Sequence, residues 1–74
     1  MEVVLTYMVE YEIIVTYRDG NTDKYSSKYV DIIKARFLLL KDEMNHNDNI
    51  VKITRLSGNK VMEQLIRSRI NMEE

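Results

Sequence analysis

From Val3 to Tyr17 every odd-numbered residue is apolar: Val3, Leu5, Tyr7, Val9, Tyr11, Ile13, Val15 and Tyr17, while Thr6, Glu10, Glu12 and Thr16 stand at even positions. A period of two assigns the odd side chains to one face of a β-strand and the even ones to the other. At about 3.3 Å per residue the run would extend roughly 50 Å. A compact chain of this size is only about 30 Å across. The strand must therefore bend, fray at its start, or reach outside the body to pair with another chain. A chain starting at Met8 would lose only residues 1–7, so these can be read as an upstream extension or as an overhanging strand.

The 74 residues suffice for a single domain, 1–74. So small a core contributes only about 3–5 kcal/mol, and such domains usually need a staple. The chain has no cysteine for a disulfide, and its one histidine, His46, cannot build a zinc site unaided. Oligomerisation or an idealised core remains, and the overlong first strand offers a route to a homodimer. Hydrophobic residues make up 45% and charged residues 31%, with neither a long apolar span nor a basic-then-apolar leader. A cytoplasmic protein without membrane contact is expected.

Arg18-Asp19-Gly20-Asn21 has the chemistry of a hairpin turn, because Gly20 tolerates positive φ. A second strand follows over about Thr22 to Ser27. A three-residue loop pairs Tyr17 with Asn21 and Ile13 with Tyr25; a two-residue loop would move Tyr25 to the opposite face. The first register is preferred, since it buries the only large apolar side chain of that strand. Ser26 or Ser27 should cap a helix whose stripe is Val30, Ile33, Phe37, Leu40 and Met44, with Lys34, Leu38, Lys41 and Asp42 facing water. Asn45-His46-Asn47-Asp48-Asn49 ends it.

Ile50 to Leu56 reads as a third strand, broken at Ser57-Gly58-Asn59. From about Lys60 to Met72 the spacing of Met62, Leu65, Ile66 and Ile70 predicts a second helix, with a short fourth strand as the competing assignment. The expected architecture is α+β, in the order β-β-α-β-α. Its three-stranded mixed sheet has strand order 2-1-3, and both helices cover one face.

No constellation of catalytic residues is visible. Glu10 and Glu12 lie two apart on the solvent face, without a histidine or metal motif beside them. The asparagine-rich loop lacks the spaced acids and distal glutamate of a calcium site. Leu56-Ser57-Gly58-Asn59-Lys60 lacks the spacing of a phosphate-binding loop. No enzyme, cofactor or metal is expected.

Charge is polarised along the chain. Residues 1–24 carry five acids and two bases, and residues 50–74 carry five bases and three acids. Elimination favours a non-enzymatic protein-binding module whose acidic sheet surface, formed by Glu2, Glu10, Glu12, Asp19 and Asp23, receives a basic partner such as a DNA-binding protein. The alternative is a small nucleic-acid-binding regulator using Lys52, Arg55, Lys60, Arg67 and Arg69. No aromatic residue lies among those bases to stack on nucleotides.

A short, cysteine-free chain with lysine and asparagine, one compact body and no enzymatic motif resembles the small host-takeover proteins of lytic phages that infect Gram-positive bacteria. The resemblance is of general character and transfers no residue. It implies an inhibitor of a host protein, acting in the host cytoplasm, with a basic nucleoid protein as the target suggested by the acidic surface.

Overall fold

A computed structural model describes residues 10–67. Alternation gives β1 (Tyr11–Tyr17), and the glycine turn returns the chain as β2 (Thr22–Ser27). The helix α1 (Val30–Met44) leads to β3 (Ile50–Ser57), and a tight hairpin to β4 (Lys60–Ile66). The sheet order is β2-β1-β3-β4, and every neighbouring pair is antiparallel. This α+β chain thus has one helix, which packs on one face of a four-stranded sheet.

The first hairpin adopts the three-residue loop. Ile13 lies opposite Tyr25, the Tyr17 N–H donates to the Asn21 carbonyl at 2.8 Å, and Gly20 holds φ at +93°. That parity places Tyr11, Ile13, Val15 and Tyr17 beneath the helix, together with Tyr25 on β2. The Arg36 guanidinium lies 4.9 Å from the centre of the Tyr25 ring, so a helix side chain closes over the hairpin.

The helical stripe is buried through Ile33, Phe37, Leu40 and Met44, while Val30 is half-buried at the first turn. These residues meet Ile13, Val15, Ile50 and Ile53 in one cluster, with Tyr11, Tyr17, Tyr25 and Leu65 packed against it. Leu38 points outward and is 63% exposed. The helix start differs from expectation. Tyr29 occupies the cap without a side-chain bond, and the Ser27 hydroxyl accepts the Tyr29 N–H at 3.0 Å, just ahead of the first turn. The far end follows the polar loop chemistry, with the Asn47 side-chain oxygen accepting the Asn49 N–H at 3.0 Å.

Two expectations are corrected. The sheet is not mixed: β2 and β3 run the same way, but β1 lies between them and is antiparallel to both. The segment after Gly58 is a strand, not a second helix. Gly58 holds φ at +62° between the paired residues Ser57 and Lys60, which is the geometry of a two-residue hairpin loop. Once β3 is in place, the following residues gain a full antiparallel ladder, and that gain outweighs the weak helical periodicity of Met62, Leu65 and Ile66. Only Leu65 of these reaches the core. The expected strand over Val3 to Val9, the homodimer through it, and the helical position of Ile70 lie outside the described residues.

Ile53 is fully buried, so Ile53→Ala should cost about 2–5 kcal/mol, comparable to the whole stability expected of so small a core. Leu38→Ala should stay within about 0.5 kcal/mol. Urea unfolding of both variants checks this contrast.

Candidate interaction surface

The two edges of the sheet differ in chemistry. β2 presents Thr22, Asp23, Lys24, Ser26 and Ser27, with Tyr25 as its one large apolar residue. Charges and small polar groups on an edge discourage pairing with another chain. β4 instead carries Val61, Met62, Leu65 and Ile66, of which Val61, Met62 and Ile66 are 52%, 48% and 63% exposed. The register shift between Arg55 and Leu56 leaves Met62 as an extra residue on β4, a bulge confined to its first half.

The second half of β4 is regular. The Arg67 N–H donates to the Val51 carbonyl at 2.8 Å, in step with the pairs Leu65–Ile53 and Glu63–Arg55. In an antiparallel ladder the backbone groups of alternate residues point the same way. Those of Glu63 and Leu65 therefore face β3, and those of Gln64 and Ile66 face outward. Among the described residues no strand pairs with that outer side.

On the face away from the helix, pairing aligns Ile14 with Thr54 and Thr54 with Gln64, and Leu56 with Val61. The Thr54 hydroxyl donates to the Gln64 side-chain oxygen at 2.9 Å, which satisfies a threonine that is only 7% exposed. Leu56 and Val61 thus form an apolar pair that reaches the β4 edge, with Ile14 diagonal to it, while Ile66 stands apart, beyond Gln64 and opposite Lys52. On the helix face, α1 lies over β1, β2 and β3, so a groove of about 300 Å³ opens beside β4, lined by Lys34, Phe37, Leu38, Lys41, Arg55 and Glu63.

The five acids proposed as one docking surface are not brought together. Glu10 is exposed, with its carbonyl accepting the Gly58 N–H at 2.9 Å. Glu12 is half-buried and ion-paired with Lys24 at 3.3 Å. Asp19 folds onto its own turn, accepting the Asn21 backbone and side-chain N–H groups at 3.0 Å each. Asp23 shares the helix side with Val15 and accepts the Tyr17 hydroxyl at 2.8 Å. Glu2 lies outside the described residues. A hollow of about 460 Å³ beside this turn is lined by Tyr17, Arg18, Asp19, Asn21, Asp23 and Asn49. Tyr17 with Asp23 and Asp19 with Asn21 bond to one another there, and the Arg18 guanidinium donates outside the lining, to the Asp48 carbonyl at 2.7 Å.

The basic set is likewise dispersed. Lys52 projects on the open face, opposite Thr16 and Ile66, and Lys60 stands at the hairpin. Arg55 lies on the helix side, 5.9 Å from the Phe37 ring centre and 3.1 Å from the Glu63 carboxylate. Arg67 is structural: its guanidinium donates to the carbonyls of Met44 (2.5 Å), Asn47 (3.0 Å) and Ile50 (3.0 Å). One side chain thereby satisfies acceptors at the helix end and the following loop, and ties β4 to both. Arg69 lies outside the described residues. The sequence shows Arg67 only as one base among five, and this role is invisible in it because the partners are 17 to 23 positions away. Among the described residues no three acidic, histidine or cysteine side chains could hold a metal ion, and no helix is long and apolar enough to cross a membrane.

Two outcomes follow from this geometry. Arg67→Lys should destabilise the fold by about 1.5–3 kcal/mol in urea unfolding, because an ammonium cannot span the three carbonyls as the planar fork does. The hydrogen bond to Asp23 raises the Tyr17 phenol from 10.0 to about 12, with partial burial and the Asp23 charge adding to it. A raised folded pKa contributes stability below pH 10 that is lost as pH rises through about 12. Alkaline absorbance titration should show a phenol component near pH 12 that moves toward 10 in Asp23→Asn. Comparison with protein-family models, with curated proteins and with solved structures found no match for this chain.

Proposed function

We propose that this chain is a non-enzymatic protein-binding module, and that it takes up an extended segment of a different protein alongside β4. The observation that carries the reading is the contrast between the sheet edges: β2 is polar and charged, whereas β4 is apolar with its outer ladder unpaired among the described residues. Strand addition to such an edge draws affinity from main-chain hydrogen bonds and specificity from alternate side chains. Gln64 and Ile66 supply the outward N–H and C=O groups. The exposed side chains of Val61 and Ile66, with Leu56 opposite Val61, supply apolar surface that an added strand would cover.

The acidic-surface alternative, in which a basic DNA-binding partner meets the even-numbered face, keeps Glu10 as its clearest support. Lys24 offsets Glu12, and Asp19 and Asp23 bond elsewhere. Strand addition fits the arrangement better because it needs no dense charge.

Panning a library of random linear peptides on the intact chain tests the reading. Retained peptides should slow hydrogen exchange at the Gln64 and Ile66 amides. They should also lose about tenfold or more in affinity for Ile66→Pro, which removes an outward N–H without touching the ladder to β3. Failure to retain any peptide, or protection confined to other strands, overturns the proposal. Binding that is centred on Glu10 and collapses with salt would favour the acidic-surface alternative, and protection of β4 by concentration alone would make a second copy the occupant.

A further inference from the structure

We infer that the segment accepted at β4 alternates acidic and apolar residues, with its carboxylates on the side of the helix and its apolar side chains on the open side of the sheet. The inference rests on the strand-addition reading and specifies the partner. An added strand would continue both faces of the sheet at once, because its successive side chains point to opposite sides. The two sides it would meet are chemically different.

On the helix side lies the groove between α1 and β4. Lys34 and Lys41 line it from the helix, separated by Leu38, and all three are exposed. Two turns of helix set the lysine backbones about 10.5 Å apart. Same-side residues of a strand recur about every 6.8 Å, and flexible lysine stems cover the difference. The acid in this groove, Glu63, is already held by Arg55, which donates to the same carboxylate oxygen through Nε at 3.2 Å and a terminal nitrogen at 3.1 Å. Lys60 stands on the same side at the start of β4. Asp31 and Asp42 lie farther round the helix toward solvent, and neither lines the groove. The lining charges therefore sum to an excess of positive charge above the edge, over a floor that includes Phe37.

On the open side β4 itself carries no charge, and one base of β3, Lys52, stands opposite Ile66. Val61 and Ile66 project there on either side of Gln64, and Leu56 lies opposite Val61. Apolar residues of an incoming strand would cover Val61 and Ile66, both more than half exposed. Charge decides the orientation of faces: a strand offering bases to Lys34 and Lys41 would be repelled, and one offering only apolar residues would leave those ammonium groups without partners.

Two blocked, fluorescently tagged peptides of sequence Glu-Val-Glu-Val-Glu-Val and Lys-Val-Lys-Val-Lys-Val test this against the intact chain by anisotropy. The acidic peptide should bind on the order of tenfold more tightly, and its advantage should shrink with added salt. In the double variant Lys34→Glu and Lys41→Glu the preference should invert, while hydrogen exchange still marks Gln64 and Ile66 as the docking strand. Equal binding of the two peptides, or a preference that survives the double reversal, overturns the inference. If both peptides protect the β4 edge equally, strand addition stands and only the acidic specificity falls. If neither peptide binds and a library also yields no strand protected at β4, both readings fall together.

Discussion

Every other element depends on β1 being paired along both sides. Ile13 and Val15 have no exposed surface, since α1 covers them from above while β2 and β3 flank them. A strand so placed must be correct in register on two sides and in parity on one face. A slip of a single residue would exchange Ile13 and Val15 for Glu12 and Ile14 beneath the helix. The turn at Gly20 removes that ambiguity on the β2 side, because a loop of three residues with φ of +93° at the glycine aligns Ile13 with Tyr25. Hydrophobic parity and turn chemistry agree, so local and tertiary preferences reinforce each other.

From that centre outward the sheet grows less symmetric. The helix follows β2 and returns over the core, leaving β4 beside its flank. Arg67 compensates by pinning the end of β4 to the carbonyls at the end of α1 and the loop beyond it. The outer strand is thus anchored at one end, while its outward ladder has no partner among the described residues and its apolar side chains stay exposed. An edge of this kind is costly to leave bare, because it templates indiscriminate pairing. The bulge at Met62 blunts the first half, and Lys34 and Lys41 stand over the groove beside the edge. Both features are compatible with a selective binding edge.

Much of the architecture was legible from local patterns. Period-two alternation located β1, the glycine turn gave its hairpin register, and three-and-four spacing gave the buried helical stripe of Ile33, Phe37, Leu40 and Met44. The strand order 2-1-3 followed from the helical crossover. After Gly58 local patterns favour a helix over the competing fourth strand, because Met62, Leu65 and Ile66 suit a helical period and no local signal records the ladder that β3 provides. Glu12 and Asp23 fall on paired strands and Asp19 on the turn, yet their partners were not visible. Lys24 meets Glu12 across the hairpin, and the Tyr17 hydroxyl meets Asp23, only after the strands pair.

By itself the sequence determined which side chains share a face and where the chain turns, because those properties arise from short-range periodicity and residue chemistry. Tertiary structure alone decided that the last described segment is a strand, that Arg67 is a clamp, and that an apolar edge lies beside a lysine-lined groove. These depend on contacts between residues distant along the chain, whose gain in pairing and packing free energy exceeds the small local preferences that a sequence displays.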